Sequence, residues 1–291
     1  MLFTIKDIEN LSGIKAHTIR IWEQRYSFLK PKRSDTNIRY YSNDELRVIL
    51  NVALLNKSGY KISHINKMSP EAIMEHVLSL TDAEAKANIT VNTLLEYMVN
   101  FDVEAFENTL NNNINASGIE NTILQIIYPF LDKVGILWLT KHINPAQERL
   151  VSNIIRQKII TGIDSLSTKK TSPIKICLFL PEGEYHEISL LFVAFLLKKK
   201  GIPIIYLGSN IPFAELKTVM SAKKPDYLYS HITTAGQSFS FDKFLSTLSH
   251  EFGNYRTIIS GHVTSSYVKK IPPKITFKKS LAEVKEFISQ L

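Results

Sequence analysis

The chain has 291 residues, of which 44% are hydrophobic, and this size and composition predict about two folded domains and exclude wholesale disorder. Its single cysteine, Cys177, excludes an internal disulfide and favours a reducing compartment. No apolar run approaches the roughly 18 residues of a membrane span, and the N-terminal segment MLFTIKDIEN lacks the apolar stretch of a signal peptide. We therefore expect a cytoplasmic protein.

The net charge of +8 is concentrated in the first quarter of the chain. Residues 1–70 contain 12 Lys and Arg against 6 Asp and Glu, whereas the remaining residues contain 23 against 21. A basic head on a nearly neutral body indicates binding to a polyanion. The alternative is that the basic charge serves only solubility, and the charge by itself does not decide between the two.

The first 70 residues are predicted to form short helices and a small hairpin. Thr4 is a candidate N-cap for a helix over TIKDIENLSG, which Gly13 ends. A second helix, KAHTIRIWEQRY, follows with Ile19 and Trp22 on its apolar face, so the pair predicts a helix-turn-helix. The segment PKRSDTNIRYY predicts a hairpin or wing, and Ser42 begins a further helix.

The middle of the chain is predicted to be helical. We expect a linker within residues 71–90 and then helices from about 90 to 168, interrupted at NNNINASG and HINP. The apolar spacing of Leu94, Met98 and Phe101 favours a four-helix bundle. The segment STKKTSP is predicted to be a second linker. We therefore divide the chain into residues 1–75, 88–168 and 173–291.

From residue 173 the pattern alternates between buried strands and amphipathic helices. The predicted strands are IKICLFL, IPIIYLG, DYLYSHI, RTIIS and KITF. This alternation predicts a flavodoxin-like, doubly wound parallel sheet, giving a multidomain protein of α and α/β parts. Ligands of such sheets lie beyond the carboxyl ends of the strands. Residues 180–187, 230–234 and 260–261 all follow strands, so we expect them to converge.

The basic head offers side chains suited to nucleic-acid contacts. Sequence-specific binding needs a helix that reaches base edges and cations that hold phosphates, and Arg suits both tasks. The candidates in the second helix are Lys15, His17, Thr18, Arg20 and Arg25, and those in the wing are Lys32, Arg33, Asn37, Arg39, Tyr40 and Tyr41.

The segment TIKDIENLSGIKAHTIRIWEQRY…LKPKRSDTNIRYYSNDEL resembles the MerR family of winged-helix regulators, in the variant whose recognition helix ends TIRIWERRY. The resemblance covers residues 1–75 and implies a homodimer on double-stranded DNA, with the second helix in the major groove. It places Thr18, Arg20 and Arg25 on the DNA-facing side of that helix, and Arg39 and Tyr40 in the wing. We expect Trp22 to pack inside the domain. Asn37 stands where most members have Gly, and Asn tolerates the left-handed backbone that such a turn requires.

The segment EGEYHEIS raises the question of whether His186 is a metal ligand or an ordinary loop residue above a strand. A neutral imidazole is a good donor for a transition metal. An acid two residues earlier, Glu184, can accept the other ring N–H and fix the tautomer. The segment resembles the acid–any–His–two residues–Gly motif of cobalamin-binding modules, in which the loop histidine is the lower ligand of cobalt.

Further segments are similar to the same family. YSHITTA resembles the Ser-containing loop that packs on the buried nucleotide tail, which carries over to Ser230, and IISGH resembles a Gly-Gly turn in which Gly261 matches. VGILWLTKHINPAQERL resembles the W…EH segment of the CarH-like photoreceptor regulators. There the Trp and Glu cover the adenosyl group, and Trp138 and Glu148 match them. Without the resemblance, Trp138 would be read as bundle core and Glu148 as a surface charge.

Four residues depart from the family's pattern. Ser189 and Ser260 replace glycines, which adds side chains where the family packs closely. Arg149 replaces the His of EH, and Leu139 stands where light-sensing members carry a histidine that captures cobalt. The last two departures weaken any light-adduct chemistry. His142 and His250 are assigned to no metal.

Three hypotheses for the function follow. The first is a DNA-binding regulator, and no enzyme, whose C-terminal module binds cobalamin through His186 and thereby controls oligomerisation and operator binding; adenosylcobalamin is one candidate form and light one candidate signal. The second keeps DNA binding and gives the sensor fold a protein partner or another small ligand. The third, a corrinoid-dependent enzyme, is disfavoured because such chains lack a basic winged-helix head.

Overall fold

The computed structural model describes residues 2–35, 37–139, 143–166, 172–233 and 239–291, with the backbone alone at Leu139. The chain forms two compact units, Met1–Ile154 and Ile155–Leu291. Most of the predicted linker STKKTSP, as well as His142, Thr234 and the Leu139 side chain, lies outside the described residues. The division at residues 75, 88, 168 and 173 stays a prediction.

The first unit begins with a small winged head. Its elements are β1 (Phe3–Thr4), α1 (Ile5–Ser12), α2 (Ala16–Arg25), β2 (Lys32–Arg33), β3 (Arg39–Tyr41) and α3 (Asn43–Lys57). The predicted cap at Thr4 is confirmed, because its side chain accepts from the Asp7 backbone while the Asp7 carboxylate accepts from the Thr4 backbone. Ser42 and Glu45 repeat this capping box at the start of α3. The strands form an antiparallel sheet in the order β1-β3-β2.

Helices α4 (Ile62–Ile65), α5 (Pro70–Leu78) and α6 (Ala83–Asn100) follow without a long connection. Trp22 of α2 is 5% exposed, which confirms the prediction that it packs inside the domain. It shares one hydrophobic core with Leu55 of α3, Val77 of α5 and Ala85 of α6. The head and the beginning of the bundle are therefore joined by a common core within the first unit.

The bundle consists of α6 and three further helices. They are α7 (Val103–Thr122), α8 (Tyr128–Leu139) and α9 (Pro145–Asp164), with a π-helical stretch at Ile123–Ile127. The break predicted over residues 111–118 is wrong except at its last residue, since α7 leaves helical backbone values only at Gly118. Glycine permits this conformation (φ 78°, ψ 160°) because it has no Cβ.

The second unit carries a five-stranded parallel sheet, which confirms the predicted fold class. Its elements are β4 (Ile176–Pro181), α10 (Ile188–Lys199), β5 (Ile204–Ile211), α11 (Phe213–Lys223), β6 (Tyr227–His231), α12 (Phe241–Phe252), β7 (Arg256–Ser260), α13 (His262–Ser266), β8 (Ile275–Lys278) and α14 (Leu281–Gln290). The strand order is β5-β4-β6-β7-β8, so the chain adds β5 on one side of β4 and then β6, β7 and β8 on the other side. The crevice at such a reversal is the usual ligand site of doubly wound sheets.

The side chains of β6 alternate between the two faces of this sheet. Leu228 and Ile232 belong to the core formed with α11 and α12, together with Ile259 of β7. Tyr229 and His231 point to the opposite face. Within the described ranges, no helix is long and apolar enough to cross a membrane.

Candidate functional site

Helix α2 exposes most of the side chains that the sequence singled out. Lys15 lies at its N-cap position, and Ile19 and Trp22 are buried beneath it. The exposed residues are Lys15, His17, Arg20 and Arg25, whereas Thr18 is half-buried. The apolar side of α2 thus faces the core and leaves a basic side to solvent, as a DNA-reading helix requires.

The wing turn is built around Asn37. Its φ of +63° confirms that this residue adopts the left-handed backbone expected where relatives carry glycine. The Asn37 N–H donates to the Ser34 carbonyl at 2.8 Å, and Arg33 Nη1 donates to Asn37 Oδ1 at 2.6 Å. Arg33 stays exposed at the tip, so its guanidinium is available to a phosphate.

Arg39 is engaged within the head itself. Its Nε donates to Glu23 Oε2 at 2.6 Å, and the Arg39 and Glu23 side chains are 20% and 7% exposed. The Tyr41 hydroxyl donates to the other oxygen of Glu23, and burial followed by this bond raises the pKa of Tyr41. Tyr40, half-buried, pairs with Thr4 and Lys32 in the sheet. The sequence analysis did not identify Glu23, whose carboxylate links α2 to the wing through its bonds to Arg39 and Tyr41.

In the second unit, Glu184 is the centre of the loop that follows β4. It is 1% exposed, and its Oε1 accepts from the backbone N–H of Tyr185 and His186 at 3.0 and 2.9 Å. The same oxygen lies 2.6 Å from Nδ1 of the His186 ring. When Nδ1–H donates to this carboxylate, the lone pair of the neutral ring is on Nε2. The His186 side chain is 56% exposed, so a fixed imidazole stands at the carboxyl end of a strand.

Backbone groups at the ends of the neighbouring strands β6 and β7 support the Glu184 carboxylate. The Thr233 N–H, just after β6, donates to Glu184 Oε2 at 2.9 Å. The Ile232 N–H donates to the Ser260 carbonyl at 2.9 Å, and Gly261 packs directly against the Ile232 backbone. The structure thus confirms that the three strand ends converge. Gly261 itself lies against the backbone of Ile232, the residue before Thr233.

Ser260, which replaces a family glycine, is part of a buried polar network. Its Oγ lies 2.7 Å from the Tyr229 hydroxyl and 2.8 Å from His231 Nδ1. Burial lowers the pKa of His231 to about 4, against a smaller opposing effect of the Glu184 charge. His231 is therefore neutral near pH 7. This network lies on the face of β6 opposite to Ser230, so the Ser260 hydroxyl is not directed toward Ser230.

The depressed pKa of His231 predicts a pH-dependent stability. An unfolded histidine titrates near 6.5, so the unfolded state takes up a proton as the pH falls below about 6.5 and the folded state resists it until about 4. Between about pH 7 and about pH 4.5, we expect the free energy of unfolding, measured with urea, to fall by about 2.5 kcal/mol more in wild-type protein than in His231→Gln. His250→Gln, at an exposed helix position, is the matched control and should behave like wild type. Equal losses in wild type and His231→Gln would contradict the buried neutral imidazole.

The residues of this region fit a corrinoid. Ser230 Oγ is buried and has no hydrogen-bond partner in the described part of the chain, an arrangement that costs about 1–3 kcal/mol unless a ligand supplies the partner. Among the described residues no three His, Cys, Asp or Glu side chains form a metal cluster. A corrin macrocycle brings its own equatorial ligands to cobalt, so a single imidazole such as His186 is a sufficient protein donor.

The remaining candidates lie elsewhere or at helix starts. Trp138, near the end of α8 in the first unit, is 49% exposed and hence not a core residue. Glu148, in the first turn of α9, accepts from the Ser152 hydroxyl at 2.7 Å. The next residue, Arg149, is exposed, and Ser189 is half-buried in the first turn of α10. The exposure of Trp138 removes the interpretation as bundle core.

Comparison with protein families assigns two segments of the chain. Residues 3–72 match the MerR HTH family regulatory protein, and residues 90–161 match the B12 binding domain. The chain thus joins a MerR-type helix-turn-helix to a B12-binding domain, the composition of a DNA-binding transcriptional regulator with a cobalamin-binding module.

Two curated proteins of Myxococcus xanthus align over most of the chain. The HTH-type transcriptional repressor CarA is 27% identical over 283 residues, covering 93% of this chain and 90% of CarA. The HTH-type transcriptional repressor CarH is 25% identical over 253 residues, covering 84% of each. Among solved structures, the Methanosarcina barkeri monomethylamine corrinoid protein is similar with a TM-score of 0.57 at 16% identity, covering 68% of this chain and 97% of that protein. At that identity the likeness concerns the fold alone.

Proposed function

We propose that the protein is a one-component transcriptional regulator that binds DNA through α2 and the wing and binds cobalamin in its second unit, with His186 Nε2 as the lower cobalt ligand. Cofactor binding controls oligomerisation and, through it, the affinity for a two-fold operator. A bivalent grip on DNA gains affinity by effective concentration, so a change of oligomer changes repression or activation. Adenosylcobalamin is one form that Trp138 and Glu148 would cover.

The observation that carries the cobalt assignment is the buried Glu184 carboxylate, 2.6 Å from Nδ1 of the half-exposed His186. A loop histidine without this partner would rotate freely. With Nδ1 held, the ring presents Nε2 in one orientation and with raised basicity, as outer partners do in metal sites. Glu184 and Ser230 would hold the ligand and the buried side of the cofactor, while Gly261 and Thr233 keep Glu184 in place.

The decisive experiment is electron paramagnetic resonance of the full-length protein loaded with cob(II)alamin. One axial nitrogen-14 ligand splits the cobalt lines into triplets, whereas nitrogen-15 gives doublets. Protein labelled with [nitrogen-15]histidine should show doublets, and His186→Ala should lose them. His250→Ala is the control and should keep them. Triplets in the labelled wild type would mean that the cofactor keeps its own base as the ligand, which would contradict ligation by His186. If no cobalt is bound at all, a second candidate function, a regulator without cobalamin, would be favoured instead.

The second candidate function is that of a MerR-type regulator whose sensor fold binds a protein partner or another small ligand in place of cobalamin. Ser189 and Ser260 favour it, since each adds a side chain where the family has glycine. Ser260 is fully engaged by Tyr229 and His231. Failure of aquocobalamin and adenosylcobalamin to bind, measured by absorption in the dark and after illumination, would support it. Leu139 makes a bis-histidine photoproduct unexpected in either case.

The DNA-binding part of the proposal predicts different effects for different arginines. Arg20→Ala and Arg25→Ala should weaken binding about 10- to 100-fold and reduce the steepness of the salt dependence, because each removes a contact to a phosphate or a base. Arg39→Ala should instead act through stability, since it leaves buried Glu23 without its cation. Fluorescence anisotropy on a duplex that wild type selects from a random pool measures the affinity.

Lys86→Ala on α6 is the matched control, since it removes one exposed charge outside α2 and the wing. It should leave both affinity and salt slope unchanged. An equal loss in Lys86→Ala and Arg20→Ala would show that net charge alone drives binding and would contradict a specific interface.

A further inference from the structure

A second buried carboxylate directly follows His186 in the sequence. Glu187, the next residue, has a side chain that is 10% exposed. Its Oε1 accepts from the Tyr206 hydroxyl on β5 at 2.8 Å, and its Oε2 accepts from Arg156 Nε on α9 at 2.9 Å. Burial, followed by the bond to Glu187, raises the pKa of Tyr206, which keeps that hydroxyl protonated as a donor. Each oxygen of Glu187 is therefore engaged.

The space around Glu187 is closed by backbone. Gly208 of β5 has a φ of +85°, and a methyl group there would lie 3.0 Å from Glu187 Oε1. The Glu187 carbonyl accepts the first hydrogen bond of α10, from the Leu191 N–H at 2.9 Å. Its carboxylate also lies at the N-terminus of α10, where negative charge is favourable. Glu187, directly after His186, is thus held through both its carbonyl group and its carboxylate.

Arg156 gives this cluster a distinctive link. Its side chain is 48% exposed, so it is not needed to fill the core. It belongs to α9, the helix whose first turn carries Glu148. Within the second unit, this ion pair joins the C-terminal part of α9 to the loop that is predicted to supply the lower ligand.

We infer that Glu187, held by Tyr206 and Arg156, is a positioning residue that fixes the main chain of His186 for cobalt ligation and ties the ligand loop to α9. This inference rests on the proposed function, because it needs His186 to be the cobalt ligand. Glu184 orients the imidazole ring, whereas Glu187 sets where the ring's backbone stands. Loss of Arg156 would leave a nearly buried carboxylate with one partner, and the loop would move to reach solvent.

The test measures affinity for cob(II)alamin and the fraction of histidine-type doublets at saturation, in [nitrogen-15]histidine-labelled full-length protein. Arg156→Gln should bind about 10-fold more weakly and show a smaller doublet fraction, the lower range found for outer partners of metal ligands. Arg156→Lys keeps the cation and should lie within about 3-fold of wild type. Lys217→Gln, which breaks the exposed Lys217–Glu251 pair on other helices, should change neither quantity.

The His186→Ala background separates positioning from a general structural role. If Arg156 acts through His186, Arg156→Gln should have no further effect on affinity once His186 is removed, because the coupling between the two is lost. A 10-fold loss that persists in that background, or an unchanged doublet fraction in Arg156→Gln, would overturn the inference. Glu187→Gln provides a second variant if Arg156→Gln does not fold. Absence of doublets in wild type would instead contradict the proposed function itself.

Discussion

Replacement of Gly261 by alanine is expected to destabilise the second unit by at least about 4 kcal/mol, the range of the most damaging single substitutions. Gly261 has φ 106° and ψ 174°, a region that only glycine populates readily. A methyl group would lie 2.1 Å from the Ile232 carbonyl oxygen and 2.8 Å from its nitrogen. These are backbone atoms that cannot rotate away, and Ile232 is already bonded to Ser260.

Gly183→Ala is the matched control for this effect. Gly183 also has a positive φ, +85°, but a methyl group there would meet nothing within 4 Å. Gly183→Ala should therefore lower the free energy of unfolding by only about 1–2 kcal/mol, the cost of a left-handed backbone for a residue with a Cβ. Urea unfolding followed by circular dichroism compares the two variants. Equal losses would show that the Ile232 backbone is not close to Gly261.

Glu184→Gln is expected to weaken cobalamin binding about 10- to 100-fold and to lower the free energy of unfolding by about 2–3 kcal/mol. Four hydrogen bonds to this carboxylate come from N–H donors, namely the backbone N–H groups of Tyr185, His186 and Thr233 and the Nδ1–H of His186. An amide has one acceptor oxygen, so its NH2 group must face a donor inside a buried site. The imidazole would lose its orientation together with part of the loop.

Glu182→Gln serves as the control, because Glu182 lies exposed in the same loop and carries the same charge. It should leave affinity and stability unchanged. Absorption titration with aquocobalamin and urea unfolding measure the two quantities. An equally small effect of both substitutions would contradict the role of Glu184 as the centre of the loop.

Periodicity predicted all five strands and the helices that alternate with them, because buried parallel strands and amphipathic helices differ in length and pattern. The capped starts at Thr4 and Ser42 were also readable, since each cap needs only a local motif. Three short helices were missed. Helices α4 and α13 have four and five residues, too few for a periodic signal, and α5 overlaps residues 71–90, within which a linker was expected.

The contacts that define the site were not readable, because they join residues far apart in sequence. Thr233 meets Glu184 across 49 positions, and Arg39 meets Glu23 across 16. Strand alternation says which side of the sheet a residue faces, but the backbone at a strand's end sets where a loop N–H points. Ser260 could be recognised as a departure from a motif. Its bonds to Tyr229 and His231 required the register between β6 and β7.

The shared core beneath the recognition helix limits where the chain can be cut. Trp22 packs in one cluster with Val77 and Ala85, and Leu80 and Ile89 pack against the same cluster. A fragment that stops at residue 75 would expose this cluster to water and lose about 1.5–3 kcal/mol for each large side chain removed. An autonomous DNA-binding fragment would therefore have to extend through the first two turns of α6, well past the point where the basic composition ends.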